Sequence, residues 1–255
     1  MKKRRYSPSP GVWTVLCLAL GVLLWEGMAA AGHVNPFFFS RPSLIWDCFL
    51  TVLRDGTLMT HLSVTAKEAG LGLLFGGLFG TATGLTLGVH PGLSRALMPL
   101  MTGLNGLPKL ALGPLIIVWF GIGLKAKVLI SALMVFFVFT FNLYSGVRSV
   151  DRDLLFAVRL MGATRHQTIR KVIWPASLPW LFTSLRTGLG LSISGAIVGE
   201  YLGASKGLGW AISTAGELYD TTRVLCYVAV IVVLVILLDL VIRLLENRLL
   251  RWRDS

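Results

Sequence analysis

The sequence predicts an all-α integral membrane protein with six transmembrane helices and both termini in the cytosol. Three observations carry that prediction. Of the 255 residues, 55% are hydrophobic and only 14% charged, with mean hydropathy +0.74, too little charge to cover the surface of a soluble domain of this size. Mostly apolar windows of about twenty residues recur along the chain, the length that crosses a bilayer. Basic residues crowd into alternate connecting segments, the bias that orients a protein in its membrane.

The elements follow in order. MKKRR precedes a long apolar run in which Glu26 interrupts any processing site. Residues 1–11 are therefore expected as a cytoplasmic tail, and Val12 to Ala31 as a retained first span rather than a cleaved signal. Phe37 to Gly56 pairs an uneven apolar stripe with Arg41, Asp47, Arg54 and Asp55, which suits a helix lying along the membrane surface. Ser40 is preferred to Ser43 as its cap, because Pro42 fits the first turn. The second span, Leu62 to Leu87, places Gly72, Gly76, Gly80 and Gly84 four apart, a track for close backbone contact with another helix, of this chain or a second one. Pro91-Gly92 marks a turn. The third span, Leu97 to Phe120, holds Pro99, Pro108 and Pro114 and can persist as a helix if neighbours satisfy the freed carbonyls. Val128 to Tyr144, Trp180 to Tyr201 and Val224 to Leu240 complete the six.

With the N-terminus inside, the inner segments hold Lys2, Lys3, Arg4, Arg5, Arg95, Arg148, Arg152, Arg159, Arg165, Arg170, Lys171, Arg243, Arg248, Arg251 and Arg253. The outer ones hold only Arg41, Arg54, Lys125, Lys127, Lys206 and Arg223. That asymmetry predicts an N-in, C-in topology.

One polar stretch, residues 148–179, interrupts the hydrocarbon and falls in the cytosol. Val150, Leu154, Val158 and Met161 are expected on one helical face, with Arg148, Arg152 and Arg159 on another. Gly162 ends that helix. Thr164 and Gln167 stand at capping-box spacing to start a second, which is expected to close before Pro175. Two short helices joined at a glycine form a rigid knuckle. A basic loop resting on anionic lipid is the plainer reading; the articulation favours a protein partner.

Several classes are excluded. The net charge of +12 lies between apolar spans, where inner-face retention and lipid account for it without nucleic acid. Cys17, Cys48 and Cys226, and the dispersed histidines, have no metal-ligand spacing. No Gly-rich loop ending in Gly-Lys-Ser or Gly-Lys-Thr is present, so any nucleotide hydrolysis belongs to another chain. No catalytic residues are expected. Within the spans, Lys109 follows Pro108 where an ammonium either snorkels, pairs with Glu68 of the second span, or faces a pathway for anions. Asn105, Glu68 and Glu200 are further candidates for packing or the pathway.

The order Ala157…Gly162-Ala163-Thr164…Gln167…Val172-Ile173-Trp174-Pro175-Ala176…Pro179 resembles the cytoplasmic loop of membrane subunits of bacterial binding-protein-dependent ABC importers. Phe156 stands where that loop has its Glu, and Trp174-Pro175 where it has Leu-Pro. LPKLALGPLIIVWFGIGLKAK (Leu107 to Lys127), GVRSVDRDLL and GEYLGASKGLGWAI (Gly199 to Ile212) are similar to segments of the nitrate, sulfonate and taurine branch, in the same order. Asn105-Gly106 replaces that branch's usual Arg-Pro. The resemblance implies the type I ABC importer transmembrane fold and an inner-membrane location. It implies a dimer with a second copy of the chain, two cytosolic ATPase subunits carrying ATP and Mg, and an external solute-binding protein. Arg159, Gly162, Ala163, Thr164, Gln167 and Pro175 would couple to the ATPase. An organosulfonate, taurine or nitrate-like anion is the expected cargo; an importer of vitamin precursors, a secondary transporter or a channel remain the alternatives.

Overall fold

A computed structural model describes residues 10–33 and 35–249, and every regular element among them is helical. The remainder of the expected cytoplasmic tail, Lys2 to Arg5, and the basic Arg251 and Arg253 lie outside the described residues. The helices are α1 (Pro10–Ala30), α2 (Pro36–Phe39), α3 (Pro42–Arg54), α4 (Thr57–Val89), α5 (Pro91–Gly106), α6 (Gly113–Phe120), α7 (Leu124–Arg148), α8 (Arg152–Leu160), α9 (Arg165–Thr168), α10 (Trp174–Gly203), α11 (Leu208–Glu217) and α12 (Thr221–Leu249). Four stretches are long and apolar enough to cross a bilayer: α4, Arg165–Gly203, α7 and α12. A fifth is added if the bent pair formed by α5 and Lys109–Phe120 counts as one span. In α1 the apolar stretch Leu16–Ala30 is shorter.

The chain divides into two compact units. One comprises residues up to Met59 together with Ala211–Val230. Here the expected surface helix is two helices, broken at Ser40, which has φ 53° and is fully buried. Arg41, not Ser40, is the N-cap of α3, and its side chain makes no capping bond. Pro42 holds Arg41 extended, and the carboxylate of Glu26 takes over the capping, accepting from the Ser43 amide at 3.0 Å and its hydroxyl at 2.9 Å. Ser40 instead shares a hydrogen bond with Thr222 at 2.9 Å.

The other unit, Thr60–Trp210 with the chain from Ile231 onward, is built on the glycine track. A Cβ on Gly76 would stand 2.4 Å from the Ala132 carbonyl, on Gly80 2.5 Å from that of Phe136, and on Gly84 2.5 Å from that of Thr140. The neighbour is therefore α7 of the same chain. The absence of side chains brings the two backbones into direct contact, and the Thr140 hydroxyl reaches the Gly80 carbonyl at 3.3 Å. On α10, Gly195 meets α7 in the same way, a Cβ there lying 2.6 Å from Ser131 Cα. Val135, Phe139 and Leu143 fill the resulting core.

Two expectations about prolines change. The turn at Pro91-Gly92 shrinks to His90 alone, because Pro91 opens α5 at its first position. The third span does not persist as one straight helix: the chain bends by 80° between Gly106 and Lys109. Pro108 keeps Leu107 extended (ψ 137°), so the helix must stop, and a 3-10 turn, Lys109–Leu112, restarts the chain. Of the three prolines in this segment, Pro99 alone is carried inside a helix, since Pro108 precedes the 3-10 turn and Pro114 stands in the first turn of α6.

Candidate functional site

The candidate site is the knuckle between α7 and α10. Asp151 caps α8, its carboxylate accepting from the Asp153 amide at 2.8 Å. At the other end Gly162 takes φ +79°, a conformation costly for any residue with a Cβ. Its N–H bonds the Arg159 carbonyl at 2.9 Å, and that of Ala163 bonds Val158 at 3.2 Å. This is the paired arrangement that closes a helix on a left-handed glycine. Two residues later the expected capping box is complete: Gln167 N–H donates to Thr164 Oγ1 at 3.3 Å, and Thr164 N–H to Gln167 Oε1 at 2.8 Å. Both helix ends at the joint are thus satisfied locally, which makes the corner stiff without help from neighbours.

The second helix does not close before Pro175. From Ile169 to Ile173 it widens into a π turn, with Trp174 N–H bonded to the Ile169 carbonyl five residues back. It then runs on as α10, so Arg165–Gly203 is one continuous 39-residue helix. Pro175 offers no N–H, and its ring would press on an ordinary α turn; the wider turn accommodates both. One arm of the knuckle is therefore the end of a long helix of the bundle.

The expected apolar face of α8 divides. Val150 is buried but precedes the helix, and Val158 is half-buried. Leu154 and Met161 face outward with Phe156 and Leu160; Phe156, Leu160 and Met161 are 64%, 73% and 86% exposed. Arg159, Thr164 and Gln167 are exposed and Ala163 half-buried. Gly162 has nothing within 4 Å of where a Cβ would point. The knuckle shows an exposed apolar corner.

The remaining candidates separate into two places. Lys109 does not pair with Glu68. Its ammonium binds the Asn105 carbonyl at 2.8 Å and side-chain oxygen at 2.9 Å, and sits 5.1 Å over the Phe137 ring. A cation there complements the exposed carbonyls at the end of α5. Glu68 is bridged instead by Lys127 at 2.9 Å, both buried. Near it Glu200, 1% exposed, accepts from Thr65 Oγ1 at 2.6 Å and from the Gly209 amide at 2.6 Å. Leu208 N–H donates to Thr65 Oγ1 at 2.8 Å and Gly207 N–H to His61 Nδ1 at 3.1 Å. The carboxylate thus sits at the amino end of α11, and Gly207 (φ +124°) leaves it room, since a Cβ would lie 2.2 Å from Glu200. From sequence, Lys127, Thr65 and His61 have no role here, and the glycine segment is marked only by its resemblance to the importer branch. One signal was available: His61, Thr65 and Glu68 fall at i, i+4 and i+7, one polar face in an apolar helix.

Residues 72–251 match the family described as binding-protein-dependent transport system inner membrane component. The chain belongs to this family. It is an ABC importer permease, a component of the inner membrane. The permease is 34% identical over 243 residues to the taurine transport system permease protein TauC of Escherichia coli, covering 93% of this chain and 88% of that one. To the putative aliphatic sulfonates transport permease protein SsuC of Bacillus subtilis it is 33% identical over 253 residues, 99% of this chain and 91% of the other. To the riboflavin transport system permease protein RibX of Chloroflexus aurantiacus it is 33% identical over 246 residues, 96% and 92% of the two chains. A chain of the MetNI methionine ABC transporter in an inward facing conformation superposes with a TM-score of 0.64 at 25% identity, covering 74% of the permease and 92% of that chain. A chain of an amino acid ABC transporter gives 0.62 at 21% identity, 78% and 98% covered.

Proposed function

We propose that the permease carries a small organic anion of the sulfonate or taurine kind, and that ATP hydrolysis on partner ATPase subunits drives it through the knuckle. The single observation carrying the coupling claim is the corner itself. Phe156, Leu160 and Met161 stand exposed on a segment whose helix ends are all capped. A lipid-resting loop needs positive charge but not this stiffness, whereas force transmission needs a rigid, continuous lever. Arg165–Gly203 is such a lever. Arg159, Gly162, Ala163, Thr164 and Gln167 form the docking face, and Pro175 sets the widened turn behind it.

In the full reading two copies of the chain and two ATPases assemble in the membrane. ATP and Mg reside on the ATPases, and an external binding protein delivers the cargo. Six spans, N-in and C-in, follow from the basic-residue asymmetry, with α1 as the first span and the bent α5–α6 segment as the third. The residues proposed for the cargo pathway are Asn105 and Lys109, where a broken helix leaves polar backbone and a cation together; Glu68 and Glu200 are assigned to packing. The names of TauC and SsuC support an anionic sulfonate. A second reading, an uncharged vitamin or its precursor, is favoured by the likeness to RibX and to the formylaminopyrimidine transport permease protein ThiX of Halalkalibacterium halodurans, 32% identical.

Gly162→Asp tests coupling. The expected outcome is normal membrane levels, loss of transport, and loss of the ATPase or of its stimulation by the binding protein. Gly162→Asn, which tolerates the left-handed conformation, should be milder. Wild-type transport and ATPase retention in Gly162→Asp would end the claim. For topology, a reporter after Met161 should read cytosolic and one after Ser205 external; both on one side would sink the six-span reading.

A further inference from the structure

Behind the knuckle lies a cavity of about 520 Å³. One wall is made by the adjoining ends of α4, α5 and α7, the other by α8 and the start of the long helix. Four arginines, Arg148, Arg152, Arg159 and Arg165, all exposed, are among its lining residues, and no acidic residue is. Among the described residues none of the four makes an ion pair or a side-chain hydrogen bond. Asp151, the acid next in the chain, is engaged in capping α8. Three other arginines among the described residues form ion pairs: Arg186 with Glu246, Arg223 with Asp220 at 3.3 Å, and Arg243 with Asp239 at 2.7 Å.

Inner-face retention explains why basic residues occur in this loop. It does not explain why four from three elements converge on one concavity. Solvated cations spread apart to lower their mutual repulsion; these surround a hollow with an apolar floor that includes the buried Val147 and Ile173. The volume is that of a small-molecule site rather than a single ion. A guanidinium offers two parallel N–H donors that match a tetrahedral oxyanion.

We infer that this cavity binds a phosphate monoester or diester, its oxyanion held by Arg148, Arg152 and Arg165 and its organic stem on the apolar floor. Such a ligand comes from an anionic phospholipid headgroup or from a soluble organophosphate. Bound, it ties α8 and the long helix to the end of α7 and braces the knuckle. The binding claim stands on the cavity alone. Only the exposure of the cavity to the cytosolic leaflet rests on the topology proposed above.

The test uses the full chain with two probes: sn-glycerol 3-phosphate added in neutral detergent, and phosphatidylcholine nanodiscs with and without phosphatidylglycerol. Thermal unfolding and retention of the phosphorus-containing adduct in native mass spectrometry are read. One probe should raise the midpoint, and Arg148→Gln/Arg152→Gln should weaken its binding roughly tenfold or more, as expected when charged hydrogen bonds are lost. Arg95→Gln/Arg170→Gln removes the same charge from exposed arginines outside the cavity and should leave binding unchanged. Response to phosphatidylglycerol alone names the lipid, and to glycerol 3-phosphate alone the soluble ester; either supports the site. Equal loss in both double variants, or no response to either probe, overturns it. Should the first double variant fail to fold, Arg152→Gln alone carries the comparison. Because no reading involves an ATPase, failure here leaves the coupling proposal standing.

Discussion

Replacing Lys127 by Met isolates the buried ion pair at the far end of α4. The two side chains have similar reach, and the Lys127 stem packs against Gly199, a Cβ on which would lie 3.0–3.1 Å away; the change therefore removes charge more than volume. What remains is Glu68, 2% exposed, without the ammonium that stood 2.9 Å away. Stranding one partner of a buried pair costs about 3–5 kcal/mol. For a chain of this size each kcal/mol moves the unfolding midpoint by about 2–4 °C, so a fall of about 6–20 °C is expected. The assay is thermal unfolding of the purified permease in detergent, followed by tryptophan fluorescence. Glu68→Gln/Lys127→Met removes both charges and should recover more than half of the loss, since the pair's own desolvation offsets most of its attraction. A single-variant loss under about 1 kcal/mol, the range of exposed pairs, would refute the burial argument. A double variant no better than the single would refute the pairing.

The glycine track gives a graded test: Gly80→Ala forces a carbon to within 2.5 Å of the Phe136 carbonyl and should cost about 1–3 kcal/mol. Gly70→Ala, with nothing within 4 Å, should be neutral or stabilising in the same unfolding assay. Thr164→Ala removes the cap at the knuckle and should cost about 1 kcal/mol locally. Faster hydrogen exchange of the Gln167 amide, with the spans unchanged, is the expected signature; unchanged exchange would show the corner is held by something other than its capping box.

What could be read from the sequence was what depends on neighbours along the chain. Apolar runs of bilayer length located α4, α7, α10 and α12, because hydrocarbon admits no other solution. Gly162, Thr164 and Gln167 announced a glycine-closed helix followed by a capping box, because those bonds join residues three to five apart. Proline was legible only in part: Pro42 opened a helix as its fixed φ requires, while Pro91, which reads as a turn beside Gly92, opened one as well. Whether Pro108 would break a span and Pro175 be absorbed depended on what surrounded them. Nor could the sequence say that Lys127 rather than Lys109 answers Glu68, or that α7 receives the glycine track. Those contacts join residues about sixty positions apart. A buried charge or a bare glycine states only that a partner is needed; the packing of the helices alone decides which residue supplies it.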